Sequence, residues 1–100
     1  YLTSYIKFGA ANNAEQVKKL QLFLNENLGL NLPVTGFYGI LSRNAVNTFQ
    51  VKYGIEILTP WVPYGHPDNQ TPTGYVYKTT KWWINMLNCK DLNLPTPQLP

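Results

Sequence analysis

Few side chains in this sequence could carry catalytic or metal-binding chemistry. His66 is the single histidine and Cys89 the single cysteine of the chain. His66 stands two residues before Asp68 in a proline-rich stretch, and an isolated His-x-Asp is more typical of a solvated loop than of a metal site. Cys89 is predicted to end a helix, away from any helix N-terminus that would activate a thiol, so a Cys–His nucleophile is also disfavoured. We expect Cys89 to be a buried or half-buried thiol.

Carboxylates are the remaining candidates for acid–base catalysis. Glu15 and Glu26 fall on the polar face of one predicted helix, where a solvated charge is the ordinary interpretation. No glycine-rich phosphate loop is present. The sequence therefore predicts no catalytic residue, no metal and no cofactor, and we interpret the chain as a binding or structural domain. The acidic residues considered are Glu15, Glu26, Glu56, Asp68 and Asp91.

The composition is typical of one folded domain with a modest positive charge. Hydrophobic residues are 44% of the chain and charged residues 13%, which argues against global disorder. The formal net charge of +3 would help the domain approach an anionic polymer, but the charge is spread along the chain. One cysteine excludes an internal disulfide. We expect no membrane span and no signal peptide, and either a mature form or part of a longer protein.

Three amphipathic helices are predicted from apolar residues at helical spacing. The first begins after Asn13, in a capping-box spacing with Gln16, and ends at Gly29. Hydroxyl side chains are expected to cap the other two. The predicted caps are Ser42 for the second helix, which ends near Tyr53, and Thr79 or Thr80 for the third, which ends at Cys89. The residues expected to face the core are Val17, Leu20, Phe23, Leu24, Leu28, Ala45, Val46, Phe49, Tyr53, Trp83, Ile84 and Leu87.

Shorter segments flank and connect these helices. Residues 1–12 are expected to form an extended arm laid on the core through Tyr5, Ile6 and Phe8. Four prolines between residues 60 and 72 predict a loop without regular structure. The segment expected to pair briefly as a strand contains Ile55, Ile57 and Leu58.

One turn-and-helix pattern occurs twice. Residues 34–50 read VTGFYGILSRNAVNTFQ, and residues 72–88 read PTGYVYKTTKWWINMLN. Aligning the two Thr-Gly pairs matches Phe37 with Tyr75 and Ser42 with Thr80. Glycine takes a positive φ in the turn at little cost, the aromatic after it is expected to fill the core, and the hydroxyl is expected to cap the helix. We therefore interpret the repeat as structural, bringing two helices into a small bundle at related angles.

Residues 16–55 carry the pattern of a known module, and they read QVKKLQLFLNENLGLNLPVTGFYGILSRNAVNTFQVKYGI. They resemble the peptidoglycan-binding domain-like module of the PG_binding_1 type. The second copy resembles the closing half-repeat of that module, which extends the resemblance over residues 13–89. This chain has Thr35 where the family has aspartate, Ser42 where the family has threonine, and a longer loop over residues 58–73. The matching residues are Val17, Leu20, Gln21, Leu24, Gly29, Val34, Gly36, Gly39, Ala45, Val46, Phe49, Gln50, Gly54, Ile55, Gly74, Val76 and Thr80.

The resemblance implies an all-α fold, a small three-helix bundle with two turn–helix half-repeats. It implies a non-catalytic module that binds or anchors to peptidoglycan or a related cell-wall polymer, outside a bacterial-type cell or in its envelope. We divide the chain into an arm (1–12), the module (13–90) and a proline-rich tail or linker (91–100). A second class stays open: a self-assembling or interaction subunit of a surface layer or filament, with neighbouring domains or copies of itself as partners. Nucleic acid is disfavoured because no basic patch is clustered.

Exposed aromatic residues and nearby cations are the candidate binding groups, because sugars and acylated peptides are held by flat aromatic faces and hydrogen-bond donors. Trp61 and Tyr64 lie in the long loop, and Trp82 falls one position outside the inward stripe of the third helix. We predict that this face meets a ligand or a neighbour, with a lid over the core as the alternative for Trp61. The complete set of predicted ligand- or partner-binding residues is Trp61, Tyr64, Trp82, Tyr38, Tyr77, Arg43 and Lys81.

Overall fold

The structure is a computed structural model that describes residues 1–89 and 93–100. The predicted boundary between module and tail, at residues 90 and 91, and the candidate carboxylate Asp91 lie outside these residues. No strand forms in the part of the chain that is described, so the all-α prediction is confirmed there. Its elements are α1 (Ala14–Leu28), α2 (Ile40–Lys52), α3 (Gly54–Ile57), a 3₁₀ helix (Thr59–Tyr64) and α4 (Lys78–Asn88).

Helix α1 begins and ends where the sequence predicts. The Asn13 side chain accepts a hydrogen bond from the backbone N–H of Gln16 at 3.0 Å. Gly29 ends the helix in the left-handed conformation, with φ of 66°. Both ends were predictable because each depends on a side chain, or the lack of one, within a few residues of the helix end.

The predicted hydroxyl caps of the other two long helices are wrong. Helix α2 begins after Gly39 and α4 after Tyr77, and neither has a side-chain cap. Ser42, Thr79 and Thr80 lie inside the helices and are buried. Each hydroxyl instead bonds to a group far away in the sequence, which a buried polar atom requires.

The predicted strand at residues 55–58 is also wrong, because Gly54–Ile57 forms a short helix. Helix α2 packs against α1, and α3 then packs against α2 and α4. Ile57 and Leu58 are buried by this turn of helix, whereas Ile55 faces outward. A lone extended segment would have left its backbone groups without partners, and the helical turn satisfies them locally.

The proline-rich loop begins with regular structure, which corrects the expectation that its prolines would exclude it. Thr59–Tyr64 is a 3₁₀ helix with Pro60 in its first turn and Pro63 inside it. Proline supplies the φ angle that a helical turn needs, and a first-turn N–H has no partner within the helix in any case.

The first turn of the repeat is held by a glutamine from α1. The side-chain oxygen of Gln21 accepts hydrogen bonds from the backbone N–H groups of Thr35 at 2.9 Å and Gly36 at 3.1 Å. Its nitrogen donates to the Phe37 carbonyl at 3.1 Å and to the Ser42 hydroxyl at 3.0 Å. Gly36 has φ of 81°, as predicted for the turn. One buried amide therefore ties α1 to the turn and to the beginning of α2.

The second turn repeats this network around a glutamine from α2. The Gln50 oxygen accepts from the N–H groups of Thr73 at 2.9 Å and Gly74 at 3.1 Å. The Gln50 nitrogen donates to the Tyr75 carbonyl and to the Thr80 hydroxyl, both at 3.1 Å. Gly74 also has a positive φ, of 69°. The repeated unit is therefore a helix, a turn and the next helix, with α2 shared between the two copies.

The aromatic residue that fills the core at the first turn is Tyr38, and the expectation for Phe37 is wrong. Phe37 is 74% exposed, whereas Tyr38 is buried and donates its hydroxyl to the Gly74 carbonyl at 2.6 Å. The counterpart of Tyr38 in the second copy is Val76, which is fully buried. The two turns therefore meet in the interior of the domain.

The phenol of Tyr38 gives the fold a sensitivity to alkaline pH. Burial raises its pKa well above the ordinary value of 10.0. The unfolded chain therefore loses this proton first, so the stabilisation is complete below about pH 10 and falls as pH rises toward the raised pKa of the folded state. Tyr38→Phe is expected to lower the free energy of unfolding by about 1 kcal/mol at neutral pH and to flatten the alkaline decline.

Urea denaturation of the wild type and of Tyr38→Phe, followed from pH 7 to 11, measures both effects. Tyr5→Phe is the control, because Tyr5 is exposed. Parallel pH profiles for the two variants would contradict this role of Tyr38.

The N-terminal residues lie against the core as predicted, but of the three predicted contacts only Ile6 is buried, and Leu2 is buried with it. Leu2 and Ile6 are buried, whereas Tyr5 and Phe8 are exposed. Ile6 forms an antiparallel bridge with Val76, so this segment lies beside the second turn.

Cys89 follows the C-terminal end of α4 and is exposed, which corrects the expectation of a buried or half-buried thiol.

Candidate binding site

An aromatic cleft lies between the 3₁₀ helix and the second turn. Its volume is about 350 Å³. We define the aromatic cleft by the side chains that form its wall and rim: Trp61, Tyr64, His66, Tyr75 and Tyr77.

The rings of the cleft are packed against one another in sequence. Trp61 stacks on Tyr77 with 5.7 Å between centroids, and Tyr77 stacks on Tyr75 with 4.8 Å. Tyr64 meets Trp61 edge-on at 6.1 Å. The Trp61 indole N–H also donates to the Thr79 hydroxyl at 2.9 Å. The aromatic faces are therefore held in place before any ligand arrives, which lowers the entropic cost of binding.

The loop that closes one end of the cleft is organised by its own polar groups. His66 Nε2 lies 2.7 Å from the Thr71 carbonyl oxygen. Asp68 accepts hydrogen bonds from the Gln70 backbone N–H at 2.8 Å and from the Thr71 hydroxyl at 2.9 Å. These bonds hold the pKa of the Asp68 carboxyl below its usual range. The geometry assigns both His66 and Asp68 to the support of the loop.

Lysines lie over tyrosine rings in and beside the aromatic cleft, and two of them, Lys78 and Lys81, line the adjoining groove beside residues 94–98. Lys7 lies over the Tyr75 ring at 5.5 Å, and Lys78 lies over the Tyr77 ring at 5.8 Å. Lys81 lies over Tyr5, whose ring meets Tyr77 edge-on. Within residues 1–89 and 93–100, no acidic side chain lines the cleft. The site therefore combines flat apolar faces with a positive rim, which suits a ligand that has both apolar faces and carboxylates.

The structure brings three of the predicted site residues together and separates others from them. Trp61, Tyr64 and Tyr77 form the cleft, whereas Lys81 lines the same groove as Trp82. Trp82 packs beside Trp83 at 5.3 Å and donates its indole N–H to the Leu94 carbonyl. It therefore belongs to a groove between α4 and the C-terminal residues 94–98, and not to the loop face.

Two further predicted binding residues, Tyr38 and Arg43, make contacts within the domain and do not line the cleft. Tyr38 is buried between the two turns and has no surface to offer a ligand. The Arg43 guanidinium lies over the Phe8 ring at 4.6 Å, and its stem packs on Gly74. Both side chains help to position the turns, so we do not include them in the candidate site.

The comparison with protein families identifies the first copy of the repeated unit. Residues 13–59 match the family model described as "Putative peptidoglycan binding domain". No curated protein and no solved structure matches the chain. The predicted resemblance to the peptidoglycan-binding family is thereby confirmed over the matched residues.

The match to the peptidoglycan-binding family covers α1, the first turn, α2 and α3. It ends before Trp61, so the aromatic cleft lies beyond it. Gln50, whose side chain holds the second turn, lies within the matched residues. The glutamine network continues the architecture of the matched segment into the second turn and α4.

Sequence reasoning missed Tyr75, which forms one end of the aromatic stack, beyond Tyr77. An available signal was the alternation over residues 75–77, since Tyr75 and Tyr77 flank a buried valine and must point to the same side of an extended segment. The contribution of Lys7 could not be found in this way, because the N-terminal arm reaches the cleft only through tertiary packing.

None of the helices within residues 1–89 and 93–100 combines the length and apolar character needed to cross a membrane. Over the same ranges, no three side chains of the His, Cys, Asp and Glu types are grouped to hold a metal ion.

Proposed function

We propose that this chain is a non-catalytic module that binds peptidoglycan or a related wall polymer and anchors a larger protein outside the cell or in its envelope. The observation that carries the proposal is the match of residues 13–59 to a peptidoglycan-binding family. The module extends through α4, because the second turn repeats the glutamine network of the first. Residues 1–12 serve as an arm of this module, and the segment after α4 serves as a tail or linker.

The aromatic cleft is the proposed contact with the polymer. A wall polymer contains sugar rings and short peptides with carboxylates. The stacked rings of Trp61, Tyr77 and Tyr75 offer faces to a sugar or an acyl group, and Tyr64 is 55% exposed beside them. The lysines beside the cleft favour a carboxylate.

A binding role accounts for the polar groups better than catalysis does. His66 and Asp68 are engaged with their own loop. Cys89 lies exposed at the other end of α4 from the cleft. We therefore expect incubation with purified wall material to release no soluble fragments.

Retention on insoluble peptidoglycan tests the proposed contact. Tyr64→Ala is expected to weaken retention by about 5- to 150-fold, on the scale of an aromatic contact worth about 1–3 kcal/mol. Its melting temperature should change little, because Tyr64 is exposed and makes only an edge-on contact with Trp61 and one exposed hydrogen bond, from its hydroxyl to the Leu99 carbonyl at 3.4 Å.

Tyr1→Ala is the matched control, because Tyr1 is also exposed and lies outside the cleft. Trp82→Ala tests the separate groove beside the C-terminal residues, and weakened retention in that variant alone would move the contact there. A wild-type domain that sediments free of the wall would refute the proposed function itself.

A further inference from the structure

An apolar patch surrounds the first turn, on a part of the surface that the proposed function does not use. We define it by Phe8, Pro33, Phe37, Ile40 and Leu41, which line an open groove of about 480 Å³. Leu41 is 63% exposed and Ile40 is 59% exposed. Among the residues that the structure describes, none that lines this groove is charged, although the chain has a net charge of +3.

The corresponding surface of the second repeat is covered or polar. Leu41 corresponds to Thr79, which is buried beneath Trp61 and donates to the Ile57 carbonyl. Ile40 corresponds to Lys78, whose charge suits solvent. The covering element consists of α3 and the 3₁₀ helix, which precede only the second turn. The first repeat therefore presents apolar side chains where the second repeat has a cover.

Phe37 is 74% exposed within the apolar patch. Its ring lies beside Gly39, so that a Cβ atom there would come within 2.9 Å of Phe37 Cε2. The corresponding pair in the second repeat is Tyr75 and Tyr77, whose rings stack. An aromatic side chain has only two side-chain torsions, so Phe37 offers a large contact area and loses little conformational entropy when it enters an interface.

We propose that the apolar patch is the contact surface of a symmetric homodimer. A two-fold contact places a patch against its own copy, so any charge within it would meet a like charge. None of the five patch residues is charged, and the Arg43 guanidinium meets the patch over the Phe8 ring at 4.6 Å. The five side chains expose on the order of 500 Å² per chain, so that pairing buries on the order of 1,000 Å², near the lower limit for specific association. A second copy of the chain therefore fits better than a charged wall polymer, and the dimer is transient.

The double variant Ile40→Lys with Leu41→Thr tests this proposal, because it gives the first repeat the residues that the second repeat already uses. Both positions are exposed, so the fold should be retained. Sedimentation equilibrium of the wild type should show a mass that rises with concentration. The dissociation constant of the double variant should be at least tenfold weaker, an effect on the scale of interface truncations.

Ile55→Lys is the matched control, with the same substitution on a side chain that is 72% exposed and lies outside the apolar patch. Phe37→Ala is a second variant in case the double variant folds poorly, and it should weaken the dimer equally. A wild type that remains monomeric up to about 1 mM would overturn the proposal. Equal dimerisation of the double variant and Ile55→Lys would do the same.

Wall retention, measured below the dimer dissociation constant, separates this inference from the proposed function. The double variant should be retained like the wild type. If the wild type is monomeric and the double variant loses retention, the apolar patch binds the wall polymer and the homodimer proposal is overturned.

Discussion

Gln50→Ala is expected to lower the free energy of unfolding by about 3–6 kcal/mol. Folded domains in general have total stabilities of about 5–15 kcal/mol, so this substitution should remove a large fraction of the stability. The Gln50 side chain is 1% exposed. Its removal leaves the N–H groups of Thr73 and Gly74, the Tyr75 carbonyl and the Thr80 hydroxyl without their partner. Each buried polar group without a partner costs about 1–3 kcal/mol, and water entering the space recovers part of this.

Urea or thermal denaturation measures the loss, and the internal repeat supplies a second test. Gln21→Ala should be destabilising to a similar degree, because Gln21 makes the corresponding bonds at the first turn. Asn44→Ala is the control, since it removes an exposed amide from the same helix as Gln50 and should change stability by less than about 0.5 kcal/mol. A Gln50→Ala variant within 1 kcal/mol of the wild type would show that the turn does not depend on this network.

Trp61→Ala is expected to have the second largest effect, because it removes both a wall of the aromatic cleft and the cover of α4. The ring lies between Tyr64 and Tyr77, and the indole N–H bonds to Thr79. Its loss should lower the free energy of unfolding by about 2–4 kcal/mol. It should also weaken retention on peptidoglycan more than Tyr64→Ala does.

Trp61→Phe separates the two roles. Phenylalanine keeps a ring stacked on Tyr77 and loses the N–H donor, so stability should fall by about 1 kcal/mol and retention should largely persist. The measurements are wall pull-down and thermal denaturation at a temperature where each variant is folded. If Trp61→Ala destabilises the domain but leaves retention of the folded protein unchanged, Trp61 is only a lid and the cleft is not the contact.

Features that depend on neighbours in sequence were predictable without the structure. Asn13 and Gly29 determine the ends of α1 because a cap acts within one turn of helix. The positive φ of Gly36 and Gly74 follows from the turn itself. The apolar stripes of the helices also predicted which residues fill the core, because helical spacing alone places them on one face. The family resemblance rested on these local patterns, and it holds over residues 13–59.

Features that depend on partners far away in the sequence were decided only by the tertiary structure. Ser42 and Thr80 have the residue type and position of helix caps. Ser42 instead accepts a hydrogen bond from Gln21, which is 21 residues away, and Thr80 accepts one from Gln50, which is 30 residues away. Phe37 is exposed because Tyr38 fills the space between the turns and bonds to Gly74. Which of two adjacent aromatic residues is buried depends on the space left by the opposing turn.

The candidate site divides in the same way. The sequence by itself pointed to Trp61 and Tyr64 in the proline-rich segment and to Tyr77 after the second turn as candidate binding residues, with a lid over the core as the alternative for Trp61. It could not show that Tyr75 and Tyr77 complete the aromatic cleft, or that Trp82 belongs elsewhere. Side-chain periodicity gives the direction of a residue relative to its own segment. Only the packing of the segments determines which rings meet, since their relative positions depend on buried contacts such as those of Gln50.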